Sequence, residues 1–199
     1  IGVVYGIGKS LFDRRAALLA AAVTALSYLL VHLSHFAKIE PLETFLVTSS
    51  FALALKALKS GRKFSYALAG LFSGLAAAVK YNAALVLVSL FIISWKAESP
   101  KDRWGHLTII FGSFLLGFLL LMPYALLDLN HFLSDLRSFA FFKVLRMGQT
   151  DSFGEWWRTS VRWLGYGLTA LYLSGVFYGL FHPNWKTYAL LAFPMVHFG

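Results

Sequence analysis

The sequence predicts an all-α protein: a polytopic bundle of about six to eight membrane helices, some of them partial. Composition is the first reason. Of 199 residues, 58% are hydrophobic and 14% are charged, whereas soluble domains run near 45–50% and 25%. Mean hydropathy is the second, at +0.67. The third is repetition, because apolar runs of near-crossing length recur between short polar segments. Disorder requires the opposite balance. With no Cys in the chain, disulfides and thiolate metal sites are excluded.

A crossing helix needs about 20 apolar residues. The apolar run Ile1 to Gly8 opens the chain, and Ala16 to Ser34 follows as one clean span. Thr44 to Leu58 reaches crossing length if its helix begins near Pro41, since proline suits a first turn, where its missing N–H costs nothing. Ser65 to Trp95 is too long for one crossing and carries Lys80-Tyr81-Asn82 at its middle. It therefore divides into Ser65–Val79 and Ala83–Trp95, meeting at a polar turn. Leu107–Leu127 and Trp163–Phe181 are further spans, and Tyr188–Phe198 closes the chain with another apolar run. Residues 1–199 read as a single transmembrane domain, an internal segment of a longer protein, with no cleavable leader visible at Ile1.

The charge distribution sets the orientation. With the Lys9/Arg14/Arg15 loop in the cytoplasm, the inner loops hold eleven basic residues against three acids, and the outer side holds seven against six. That is the positive-inside asymmetry. It also supports dividing Ser65–Trp95, because the basic loops at Lys59–Lys63 and Lys96–Arg103 then share a side. Net charge is +9, but the cations are scattered among loops, which argues against nucleic acid.

The unusual chemistry falls on the outer side. His35, Lys38, Glu40 and Glu43 crowd one turn, with both carboxylates on one face of a starting helix. The turn reads either as a solvated helix start or as a set that binds a divalent cation or supplies a base. Lys80 sits between arms too short to cross a bilayer, which recesses it and calls for an anion, carboxylate or phosphate; a snorkelling lysine is the alternative. Residues 128–162 form an outer interfacial segment. Its first part, around Phe132, Leu133 and Leu136, reads as a short amphipathic helix. Arg137, Lys143 and Arg146, interleaved with aromatic residues, suit either an interfacial belt or contacts to lipid head groups. Gly70 and Gly74 permit close helix packing, and His32 reads as packing. No phosphate loop, HExxH, GxSxG or dinucleotide fingerprint occurs.

The run Ser34-His35-Phe36-Ala37-Lys38-Ile39-Glu40-Pro41-Leu42-Glu43, the stretch Ala69-Gly70-Leu71-Phe72-Ser73-Gly74 followed by Val79-Lys80-Tyr81, and Pro123-Tyr124-Ala125-Leu126-Leu127-Asp128 with Phe132 occur in this order. Together they resemble the GT-C glycosyltransferases, in particular relatives of the protein O-mannosyltransferases and the aminoarabinose lipid A transferases. The resemblance implies transfer of a sugar from a polyprenyl-phosphate donor to a lipid, glycan or protein acceptor, within a prokaryotic plasma membrane and on its extracytoplasmic face. It implies Glu40 as a catalytic carboxylate, with Glu where Asp is usual, and Lys80 at the donor phosphate. His35 falls where Arg is common, and Glu43 has no counterpart. The best-known catalytic base of such enzymes would precede Ile1, leaving this segment inactive alone. Lys38 adds a second cation for the phosphate, and His35 with Glu43 forms a candidate acceptor or cation site; whether a metal is needed is left open. A transporter or flippase for a lipid-linked or anionic solute is the competing reading, and a non-catalytic membrane subunit is a third.

Overall fold

The structure is a computed structural model, and it describes residues 1–36, 38–96, 100–138 and 153–198. Within them every regular element is helical. Helix α1 (Gly2–Leu11) turns tightly into α2 (Arg14–Leu26), whose N-cap Asp13 accepts a hydrogen bond from the Ala16 amide at 2.8 Å. The two meet closely where Gly8 lies against Ala17.

The single span anticipated from Ala16 to Ser34 is two helices. Ser27 takes an extended conformation (φ −64°, ψ 109°) between α2 and α3 (Tyr28–His35). One turn earlier, the Thr24 hydroxyl donates to the Ala20 carbonyl at 2.7 Å, a back-bond that bends helices. His32 is sandwiched by Tyr28 and Phe36, ring centroids 5.3 and 4.7 Å away, in keeping with a packing role.

Helix α4 (Glu40–Ser60) starts with Pro41 in its first turn and ends at Gly61, which is left-handed at φ 65°. Helix α5 (Lys63–Val79) returns antiparallel to it. The buried Ser50 hydroxyl ties the pair by donating to the Ala69 carbonyl at 2.7 Å. At Lys80 the helix breaks, as the polar triplet predicts. A 3-10 turn (Tyr81–Leu85) then leads into α6 (Val86–Ser94), which runs back down the bundle.

Helix α7 (Pro100–Leu121) packs parallel to α5. Tyr66 stacks on His106 with centroids 4.0 Å apart, Gly70 faces Ile110, and Gly74 faces Phe114 and Phe118. Both helices therefore begin at the same end, as the pairing of their basic loops requires. Gly70, Gly74 and, from the other side, Gly117 lie so near the facing backbone that no Cβ fits.

The span anticipated to Leu127 stops at Leu121. Pro123 cannot continue the hydrogen-bond ladder, and a short α8 (Tyr124–Leu127) precedes α9 (129–138). Helix α10 (Phe153–Phe181) is broken at Gly165 (φ 75°, ψ 157°), so the anticipated span from Trp163 is interrupted near its start. Helix α11 (Trp185–Phe198) packs along α6.

Among the described residues, two helices, α4 and α7 from Asp102, are long and apolar enough to cross a membrane; α5 and Tyr81–Ser94 are apolar but shorter. The outer face of α7, with Phe111, Leu116 and Leu120, is exposed, as a lipid-facing surface requires.

At Gly74 a methyl group would meet the α7 backbone, whereas at Gly112 it would meet nothing within 4 Å. Gly74→Ala is expected to destabilise the folded protein by about 1–3 kcal/mol, and Gly112→Ala to leave it unchanged or slightly stabilised. Thermal unfolding in detergent measures both.

Candidate functional site

The antiparallel α4–α5 hairpin brings the start of α4 to the end of α5. Glu43, on the first turns of α4, is buried, and its Oε2 lies 3.5 Å from Lys80 Nζ. Lys80 is the C-cap residue of α5, with extended backbone at φ −156° and ψ 118°. Its amide donates to the Ala76 carbonyl, and its own carbonyl accepts from Ala83. The side chain is 39% exposed against 8% for Glu43. The pair thus has one buried anion and one partly open cation.

Glu40 is the first residue of α4, one turn before Glu43. The helix N-terminus favours both negative charges. Its Oε2 is buried, with no hydrogen-bond partner among the described residues. Lys38 is exposed just before the helix.

The neighbouring wall is aromatic. The Tyr81 hydroxyl lies 3.6 Å from Met122 Sδ, and the Tyr81 ring is 6.5 Å from Phe118 and 6.3 Å from Phe132. Phe132 makes edge contacts with Phe118 and Tyr124 as well. It anchors α9 to the bundle, while α8 and α9 leave Leu126, Leu127, Leu129 and Leu133 exposed.

Acidic groups hold this arm in place. Asp128 caps α9 through the His131 amide at 3.2 Å, and its other oxygen lies 3.0 Å from His131 Nδ1. The Tyr124 hydroxyl donates to Asp135 Oδ2 at 2.8 Å. That hydrogen bond, with desolvation and the nearby acids adding to it, pushes the Tyr124 phenol up to about 12.

Of the residues singled out in the sequence, Glu40, Glu43 and Lys80 come together at one end of the bundle. His35 does not join them through its ring, because its Nδ1 lies 2.8 Å from the Val31 carbonyl of its own helix. Arg137 is exposed near the end of α9, and Lys143 and Arg146 lie outside the described residues. Among the described residues, no three His, Asp or Glu side chains gather as a metal-binding set. Sequence reasoning overlooked two things. One is the Glu43–Lys80 pairing, although a recessed lysine already called for an anion. The other is the Tyr124–Asp135 bond, for which a spacing of eleven residues across a helix break gives no local signal.

Two described helices long and apolar enough to cross a membrane, with an ion pair at one end of the bundle, fit an integral membrane protein. Residues 1–127 match the family of dolichyl-phosphate-mannose-protein mannosyltransferases. The chain belongs to that family, and is thereby a membrane glycosyltransferase of mannosyltransferase type. The matched stretch contains Glu40, Glu43 and Lys80 and stops before Asp128. No curated protein and no solved structure matches the chain significantly.

Removing Lys80 strands a buried carboxylate. Lys80→Met is expected to destabilise the protein by about 1–3 kcal/mol, an estimate reduced because the lysine is partly solvated. Adding Glu43→Gln to that variant should recover most of the loss, as read by a double-mutant cycle of thermal unfolding.

Because the folded phenol of Tyr124 titrates above its ordinary value of 10.0, its hydrogen bond contributes fully below pH 10 and is lost as pH rises through about 12. Spectroscopic tyrosine titration should show one late phenol, which Asp135→Asn returns toward the ordinary value.

Proposed function

We propose that the end of the bundle carrying Glu40, Glu43 and Lys80 transfers a sugar from a polyprenyl-phosphate donor to an acceptor on the extracytoplasmic side. One observation carries this: Lys80 is held in place by a buried carboxylate yet remains 39% exposed. An ammonium group has three N–H donors, and a single ion pair occupies at most one of them. The others are left for a donor phosphate approaching from the exposed side.

Sugar transfer breaks the bond between the anomeric carbon and a phosphate oxygen, so negative charge grows on the departing phosphate. A fixed cation there lowers the barrier, because its attraction strengthens as the bond breaks. Lys80 is that cation, and Lys38 adds a second, more mobile one. Glu40 has an oxygen without a hydrogen-bond partner among the described residues, and it positions the acceptor hydroxyl by accepting its proton in a hydrogen bond. The excess of basic residues in the loops at the opposite end supports the extracytoplasmic placement of this one.

The test is a transfer assay on the full-length protein with a polyprenyl-phosphate sugar. Lys80→Ala and Glu40→Gln should each lower kcat by about 100-fold or more. Undiminished turnover in both removes their roles, and accumulation of the donor across vesicles without sugar transfer would favour transport instead. Residues 1–199 contain no Cys, so with any cysteines elsewhere in the full-length protein replaced, single cysteines at Lys38 and Arg62 report sidedness. Impermeant reagent should reach Lys38→Cys only from outside and Arg62→Cys only from inside.

A further inference from the structure

A groove of about 360 Å³ lies between α1 and α4, at the end of the bundle opposite Glu43 and Lys80. Its volume falls within the roughly 300–1,000 Å³ of ligand clefts. Gly6, Ile7, Ala52 and Leu55 form its body, and Lys56, Lys59 and Ser60 stand at its rim. The body is apolar and the rim is cationic.

Three details make the groove a receptor for an amphiphilic anion. First, Gly6 leaves open space: a Cβ there would meet nothing within 4 Å. Second, among the described residues the rim lysines have no acidic partner, the ion pairs there being Glu43–Lys80 and Asp128–His131. Asp13, just beyond the end of α1, is engaged as the cap of α2. Third, the lysines differ. Lys59 Nζ donates to the Ser10 carbonyl at 3.0 Å, which fixes its head group beside the groove, whereas Lys56 is exposed one turn away on α4.

We propose that this groove binds an anionic glycerophospholipid, with the upper part of one acyl chain between α1 and α4 and the phosphate against Lys56 and Lys59. Basic pockets between membrane helices suit acidic head groups. The chain of a lipid already in the bilayer enters the groove without leaving hydrocarbon, so the apolar body and the cationic rim are satisfied together. The site is separate from the donor site and does not depend on its assignment.

The experiment uses full-length protein, delipidated in detergent, with lipid retention read by native mass spectrometry and stabilisation read by thermal unfolding. Phosphatidylglycerol should be retained and raise the midpoint, while phosphatidylcholine and inorganic phosphate should not. Lys56→Gln should weaken phosphatidylglycerol binding about fivefold, and Lys56→Gln with Lys59→Gln about twenty-five-fold. Lys59 also holds α1, so the double variant could unfold. Gly6→Leu avoids that difficulty, because it fills open space and raises helix propensity. It should fold at least as well as the parent and lose the lipid. Equal retention of phosphatidylcholine, equal stabilisation by inorganic phosphate, or unchanged phosphatidylglycerol binding in Gly6→Leu would each overturn the proposal.

Discussion

A lysine at a helix break inside an apolar bundle must find an anion, and in this chain Glu43 is that anion. Much of the architecture follows from the need. An unpaired charge at membrane depth is costly, and irregular backbone is tolerated there only where protein surrounds it. The Lys80 break meets both conditions because α4 starts beside the point where α5 ends. The α4–α5 hairpin, with its left-handed Gly61 at one end and the ion pair at the other, is closed from both sides. Since α5 and α7 run parallel over Gly70, Gly74 and Gly117, α7 ends at the same level. Tyr81 then finds Met122 and Phe118 at its side.

The two ends of the bundle treat charge differently. At the lysine-rich end, cations answer backbone: Lys59 and Lys186 donate to the Ser10 and Leu11 carbonyls, where the α1 dipole concentrates negative charge. These contacts bring α4 and α11 onto the same helix end although Lys186 is distant in sequence. At the opposite end, side chains answer side chains, through Glu43–Lys80, Tyr124–Asp135 and Asp128–His131. Cations at a helix C-terminus are favourable whatever the function, so the first pattern has a structural role of its own. The second gathers carboxylates, a lysine and phenols at one end of the bundle, the end to which the proposed function assigns the chemistry.

The sequence was informative wherever a residue acts locally. Pro41 stands in the first turn of α4, and Lys80-Tyr81-Asn82 interrupts an otherwise continuous apolar stretch. The spacing of Gly70 and Gly74 signalled a close contact, although only the fold identifies α7 as the partner. Hydropathy failed where geometry is set by a single bond or residue. Ala16–Ser34 is apolar on average, and nothing in that average announces the extended Ser27. Leu107–Leu127 is apolar past Leu121, and the weight of that run hid the effect of Pro123. The site divides in the same way. Glu40 and Lys80 stand out as charges near apolar spans, but whether Glu40 or Glu43 reaches the lysine depends on the rotation of α4, which a pattern with many small residues on several faces leaves open.

The geometry of the ion pair bears on why it is there. Charge-assisted hydrogen bonds usually close to about 2.7–2.9 Å, and Glu43 stands 3.5 Å from Lys80. A purely structural pair in a dry core would gain by closing that gap, or by being replaced with apolar side chains of similar volume. Lys80 instead remains partly solvated, with its partner buried below it. The carboxylate fixes where the ammonium sits while occupying at most one of its three N–H donors. A second anion arriving from the open side therefore meets a cation already positioned and only partly neutralised. Glu40, one turn away, has an oxygen without a partner among the described residues. Under the proposed function it favours a hydroxyl donor while Lys80 favours the incoming anion, the division of labour that the proposed transfer from a phosphate to an alcohol would use.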